Sequence, residues 1–245
     1  MLRRVVEEDT PLAPVHAAVH ARLREIEPGR AVARMPAPDG DIDAALWLLA
    51  DFVSGLAVTG TLDAGERITT LRLTLHVLAR DVAGTLHAVG ALDDRDAVVA
   101  LSTAVISDDT GRVVARATGR NAVLADDVAA DYRVEATTWP STPRPVTALV
   151  ADGAAPDGDA VNTASVVQGG ALASLPARAL ADVLGGPADE ATATFLRAVP
   201  ADGRTVHAEA SVEHGGRRLR TGHAALRDDR DRVVATVTGL RYTPG

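Results

Sequence analysis

DDTGRVVARATG, residues 108–119, recurs as DDRDRVVATVTG at residues 228–239. The two segments agree at 8 of 12 positions with an offset of 120 residues, so the chain reads as two copies of one unit. A solenoid needs three or more repeats, and one period of half the chain points instead to two units packed together. Upstream of each copy lies a pair of alternating segments joined by a short turn. In the first half these are TLHAVGAL and AVVALSTAVI around Asp93 to Asp96; in the second, TVHAEASVEH and RRLRTGHAALR around Gly215 and Gly216. Alternation of apolar or small residues with polar ones marks half-buried antiparallel strands.

Further upstream, each half has one long helical candidate. Residues 44–58, AALWLLADFVSGLAV, are apolar on nearly every face and predict a core helix. Residues 169–184, GGALASLPARALADVL, predict its counterpart, with a kink or irregular turn at Pro176. Each half therefore reads as strand, buried helix, then three or four antiparallel strands. The expected fold class is α+β, two repeats in which an antiparallel sheet wraps a long helix, over residues 1–125 and 126–245. The polar, Pro-containing stretch from Asp126 to Pro145 is the join.

Composition narrows function. The 245 residues carry 25 basic and 33 acidic side chains, a net charge of −8, and every basic one is Arg. With no Cys, thiol nucleophiles, disulfides and Cys-ligated metals are excluded. Acidity and only 2% aromatic residues argue against nucleic-acid binding, which uses basic patches and stacking rings. The N-terminus lacks the apolar core of a signal peptide, and the stretch 44–58, interrupted by Asp51, reads as too short to span a bilayer. A soluble, cytoplasmic protein is expected, acting without metal or cofactor. His16 and His20 are one turn apart but no third ligand is evident, so zinc is not expected. No Gly-x-Ser-x-Gly elbow occurs, and a phosphate loop ending in Gly-Lys is impossible without Lys. Arg217, Arg218 and Arg220 form the densest basic run, read as a solvated hairpin edge with the phosphates of a ligand as the alternative.

Asn162-Thr-Ala-Ser-Val-Val-Gln168-Gly169-Gly170-Ala-Leu opens the second helix. It resembles the Asn-x-x-Gly-x-x-(His/Gln)-Gly-Gly opening of the central helix in PaaI-like acyl-CoA thioesterases, which have the hotdog fold. Phe195-Leu-Arg-Ala-Val-Pro200-Ala-Asp-Gly203 is similar to the family's aromatic-Leu-Arg-Pro turn, and Asp228 onward to its closing strand. In the first half, Leu48 to Asp51 and Ser54 to Ala57 resemble the helix segment bearing the family's carboxylate. Ser165 departs from the pattern, standing where the family has Gly.

The resemblance implies a composite site. In the family the carboxylate lies about two turns into one helix, and the Gly pair and Asn come from the neighbouring unit. Nine residues beyond Gln168 stands Ala177, so the second half lacks the carboxylate; nine before Asp51 stands Ile42, so the first lacks the Gly pair. Asp182, the alternative second carboxylate, lies five residues further on and about 140° around the helix. One site remains, with Asp51 facing Asn162, Gln168, Gly169 and Gly170, while its symmetry mate is lost.

The implied chemistry is hydrolysis of an acyl-CoA thioester. Glycines at a helix start leave room for the thioester carbonyl beside free backbone N–H groups. Asp51 is expected to act as general base or direct nucleophile, Asn162 to orient water and Gln168 to bond near the thioester. Thr70, or its neighbour Thr69, is expected to touch the carboxylate or the water. Two other readings stay open: a non-catalytic acyl-CoA-binding or regulatory protein with a structural Asp51, and a hydratase, disfavoured because no Asp-x-x-x-x-His pairing opens a helix. Pairing of two chains into a homodimer is also open.

Overall fold

The computed structural model describes residues 2–125 and 137–244. The boundary expected at 125/126 and the first part of the join lie outside the described residues.

The first half begins with two short helices, α1 (Leu2–Glu7) and α2 (Pro14–Ala18). Strands β1 (Arg22–Glu27) and β2 (Arg30–Pro36) form a hairpin before the long helix α3 (Ile42–Thr59). Four strands follow: β3 (Glu66–Val77), β4 (Thr85–Arg95), β5 (Val99–Ser107) and β6 (Val113–Ala125). The second half supplies α4 (Gly169–Leu184), β7 (Glu190–Phe195), β8 (Val206–Gly215), β9 (Leu219–Asp228) and β10 (Val233–Tyr242). The strands form a single ten-stranded antiparallel sheet in the order β1-β2-β4-β5-β6-β3-β7-β10-β9-β8.

The two halves meet where β3 pairs with β7, from Arg72 opposite Thr194 to His76 opposite Glu190. Equivalent strands running antiparallel are what a two-fold relation between repeats requires. Thr74 and Thr192 face each other there, their hydroxyls 2.9 Å apart. One sheet thus passes through both repeats. Helices α3 and α4 lie against it and against each other, and one apolar cluster runs through both halves.

Local chemistry explains each element. Asp41 caps α3 by accepting from the Ala44 N–H at 3.2 Å. Gly185, at φ 73°, ends α4 in the left-handed region that its missing Cβ permits. The inward face of the sheet is built largely of alanines, among them Ala33, Ala88, Ala104, Ala117, Ala193 and Ala224. Short side chains there let the apolar helices sit close to the strands, so the core is filled by Leu, Val and Ala with few aromatics. Asp108 and Asp228 open the two copies of the repeated motif, and their roles coincide. Asp228 Oδ1 accepts from the N–H groups of Arg230 and Arg232, and Oδ2 from the Arg232 guanidinium. Asp108 does the same with Thr110 and Arg112. The repeat is therefore a hairpin clasp.

Three expectations need correction. Among the described residues no strand precedes the helix in the second half: residues 146–168 hold two single-turn 3₁₀ helices and isolated bridges instead. That stretch is broken by Gly153, Pro156 and Gly158 and bears no run of alternating residues. The irregular turn expected at Pro176 is absent, since α4 is helical throughout from Gly169 to Leu184. The proline ring is buried, so packing offsets the one backbone bond it forgoes. Lastly, α3 has 18 residues and is long and apolar enough to cross a membrane, contrary to the expectation drawn from 44–58. Nearly all of it is buried within the fold, as a core helix would be.

Candidate active site

Asp51 lies in the middle of α3 and is almost wholly buried, 9% exposed. Three donors converge on its carboxylate. Thr70 on β3 donates its hydroxyl to Oδ1 at 2.9 Å. Gln168 donates its amide to Oδ2 at 2.6 Å, and the Gly170 N–H reaches the same oxygen at 3.1 Å. Two of the three come from the other repeat. Burial pushes the Asp51 carboxyl up from its ordinary value, and the bonds from Thr70, Gly170 and Gln168 pull it back down. Burial is the larger effect, so the carboxyl is a stronger base than an exposed one.

Local folding places each donor. A bulge in β3 falls between Thr70 and Arg72 and re-aims the strand, so that Thr70 faces Asp51 while Thr69 is exposed. Gln168 is the N-cap of α4: its side-chain oxygen accepts from the Ala171 N–H at 2.7 Å, leaving its amide for Asp51. Gly170 sits where the two helices cross, and a Cβ there would stand 2.2 Å from the Trp47 carbonyl oxygen. A Cβ on Gly169 would meet Asp51 Oδ2 at 2.9 Å. Glycine is required at both positions for contact rather than for turn geometry.

The expectation that both glycine amides stabilise an oxyanion needs refining. The Gly170 N–H is committed to Asp51, and the Ala171 N–H to Gln168. Among the described residues the Gly169 N–H has no acceptor, so it alone of these three stays open at the positive end of α4. Asn162 serves first as a turn residue, its side-chain oxygen accepting from the Ala164 N–H at 2.8 Å. That turn brings Ser165 to φ 57°, the left-handed conformation in which the resembling motif has Gly. The Asn162 side-chain amide is left over as a donor.

Asp51, Thr70, Asn162, Gln168 and Gly169 line one cavity of about 900 Å³, whereas Gly170 is packed against α3 and does not. Its walls include Leu2, Leu12, His16, Phe52, Leu56 and Leu172, and Arg67 and Arg197 also line it. The hairpin arginines Arg217, Arg218 and Arg220 do not line it, and Arg220 instead bonds the Leu184 carbonyl. His16 and Phe52 were not singled out as cavity residues by sequence. The signal available was a lone His in the apolar run Val15 to Val19.

A second cavity of about 350 Å³ lies where the symmetry mate belongs. It is lined by Ile42, Asp43 and Ala44 at the start of α3 and by Ala177 in the middle of α4. Asp182 is exposed and lines neither cavity. Asp43 is held there by Arg80, with Nε to Oδ1 at 2.9 Å. The glycine pair and the central carboxylate are both missing from it. Among the described residues, no group of three His, Asp or Glu side chains is placed to hold a metal.

With this geometry in view, comparison with known proteins is informative at the level of architecture. No family model and no curated protein matches the chain by sequence. Among solved structures, the 12:0-ACP thioesterase from Umbellularia californica aligns over 74% of this chain and 75% of its own, at 12% identity and a TM-score of 0.52. The fold is that of the hotdog thioesterases. A phenylacetic acid degradation-related protein from Ralstonia eutropha JMP134 is 26% identical, covering 49% of this chain and 97% of its own, with a TM-score of 0.44. A hypothetical thioesterase protein from Streptococcus pneumoniae TIGR4, solved with coenzyme A, covers 45% of this chain and 91% of its own, at 19% identity and a TM-score of 0.41.

Proposed function

We propose that this double hotdog chain hydrolyses acyl-CoA thioesters at the single site between its repeats. The observation that carries the reading is the Asp51 carboxylate, buried and held by three donors, beside the open N–H of Gly169. Asp51 is the general base. Oδ2 is already occupied by two donors and Oδ1 by one, so Oδ1 keeps room to take a proton from water. The thioester carbonyl oxygen lies against the Gly169 N–H. Water adds to the carbonyl carbon as Asp51 accepts its proton, and the negative charge passes to the oxygen facing the helix start. The tetrahedral adduct collapses by breaking the C–S bond, and the proton on Asp51 goes to the departing thiolate. The Asn162 amide donates to the water or the acid product. Arg67 and Arg197 supply positive charge to coenzyme A phosphates at the cavity wall.

The test is thiol release over a panel of acyl-CoAs by wild type, Asp51→Asn and Asn162→Ala. Removing the base is expected to lower kcat at least about a hundredfold, on the scale general-base catalysis contributes. Activity unchanged in Asp51→Asn would overturn the mechanism. Tight acyl-CoA binding without turnover would replace it with a non-catalytic binding protein.

A further inference from the structure

His16 is the one described residue whose buried side-chain nitrogens lack any hydrogen-bond partner. The other buried polar side chains, including Asn121, Ser102, Ser174 and Asp108, all have one. The imidazole is 4% exposed, lines the large cavity and stacks on Phe52, with ring centroids 3.8 Å apart. Phe52 follows Asp51 directly on α3. A Phe or Leu would fill the same space without burying two unpaired nitrogens, so packing alone gives no reason for a histidine.

We propose that His16 is a specificity-determining residue, pairing with a hydroxyl or oxo group on the acyl portion of the thioester. This rests on the thioesterase reading and extends it to substrate class. A neutral imidazole offers one N–H donor and one lone-pair acceptor. A hydroxyl satisfies either nitrogen, and an oxo group satisfies the N–H. The surroundings decide between the acyl group and the coenzyme A arm. His16 is deeply buried among Leu12, Phe52 and other apolar walls, where an acyl chain belongs and a polar arm running out to solvent does not. A site built to bond an oxygen discriminates strongly against the analogue without it, because the site's own polar atoms are then left unpaired.

The experiment compares kcat/KM for straight-chain acyl-CoAs of one length carrying no substituent, a 3-hydroxyl or a 3-oxo group. Wild type is expected to prefer an oxygenated chain by tenfold or more. His16→Phe should lower that preference at least tenfold, and His16→Gln, which keeps a donor and an acceptor, should retain part of it. A preference that moves less than twofold in His16→Phe overturns the inference. So does an equal loss on all three substrates, which would place His16 against the coenzyme A arm or make it purely structural. Calorimetric binding of the same panel separates the two levels of the reading. An oxygen preference in Kd that depends on His16, without turnover, keeps this inference and sinks the hydrolase; no preference in binding or turnover sinks this inference.

Discussion

The start of α4 touches the middle of α3 so closely that a single methyl group on Gly170 would collide with the backbone of Trp47, 2.2 Å from its carbonyl oxygen. The neighbouring Gly169 faces a side chain instead, the Asp51 carboxylate. Two adjacent glycines are therefore needed for different reasons, and substitutions separate them. Gly170→Ala is expected to destabilise the fold by about 1–3 kcal/mol, as overpacking does, because the obstacle is backbone. Gly169→Ala should leave the unfolding temperature near that of wild type while thioester turnover falls at least tenfold. Thermal unfolding and thiol release on the two variants check this.

Thr70→Val removes the hydroxyl bonded to Asp51 Oδ1 and keeps the shape. That bond favours the carboxylate, so its loss raises the Asp51 pKa further above the ordinary value. A general base works when deprotonated. The acid limb of the kcat/KM profile should therefore move to higher pH, with a loss of about tenfold at neutral pH. A profile that keeps its midpoint would mean that Thr70 does not tune the base.

Two groups contribute to the acid stability in separate windows. Burial lowers His16 from 6.5 to about 3, so the folded state resists a proton that the unfolded chain accepts. Its contribution is complete above about pH 6.5 and is lost as pH falls toward 3. The Asp228 clasp, chiefly the Arg232 guanidinium, holds that carboxyl at about 2 against 3.8. Its contribution is complete above pH 3.8 and disappears as pH falls through 2. His16→Phe should flatten the unfolding-temperature curve between pH 6.5 and 3, and Asp228→Asn below 3.8. Calorimetric scans across pH would read both.

Restoring a carboxylate in the lost site should not restore activity. Ala177→Asp places a charge opposite Ile42, Asp43 and Ala44, where no glycine pair opens the helix and Asp43 is already present. Burial raises the Asp43 carboxyl even with Arg80 beside it. The variant is expected to be less stable than wild type with no gain in kcat, measured by unfolding and thiol release.

The path of the chain was legible where period and turn chemistry agreed. The 120-residue offset marked two repeats, α4 begins and ends where the apolar pattern does, and the resemblance to the thioesterase motif put Gln168 and Gly170 opposite Asp51, counting along the helices showing only which half kept which group. What stayed hidden depends on contacts between distant segments. Residues 146–168 lack any periodicity, so their 3₁₀ turns and isolated bridges could not be read from them. The Gly170 amide was assigned to substrate because sequence does not show that it is consumed by Asp51. His16 carries no motif, and its isolation becomes visible only when the cavity wall closes around it. Thr70 was separable from Thr69 only once the bulge in β3 was known.

Joining β3 to β7 within one polypeptide has a consequence for how the site comes into being. Base and helix start sit 119 residues apart along the chain and meet through pairing that is intramolecular. Their local concentration is fixed by connectivity, so dilution does not separate them as it would two subunits. During synthesis the first repeat has only Thr70 to hold its carboxylate until the second helix emerges and docks. Competence is thus acquired late, and in one step.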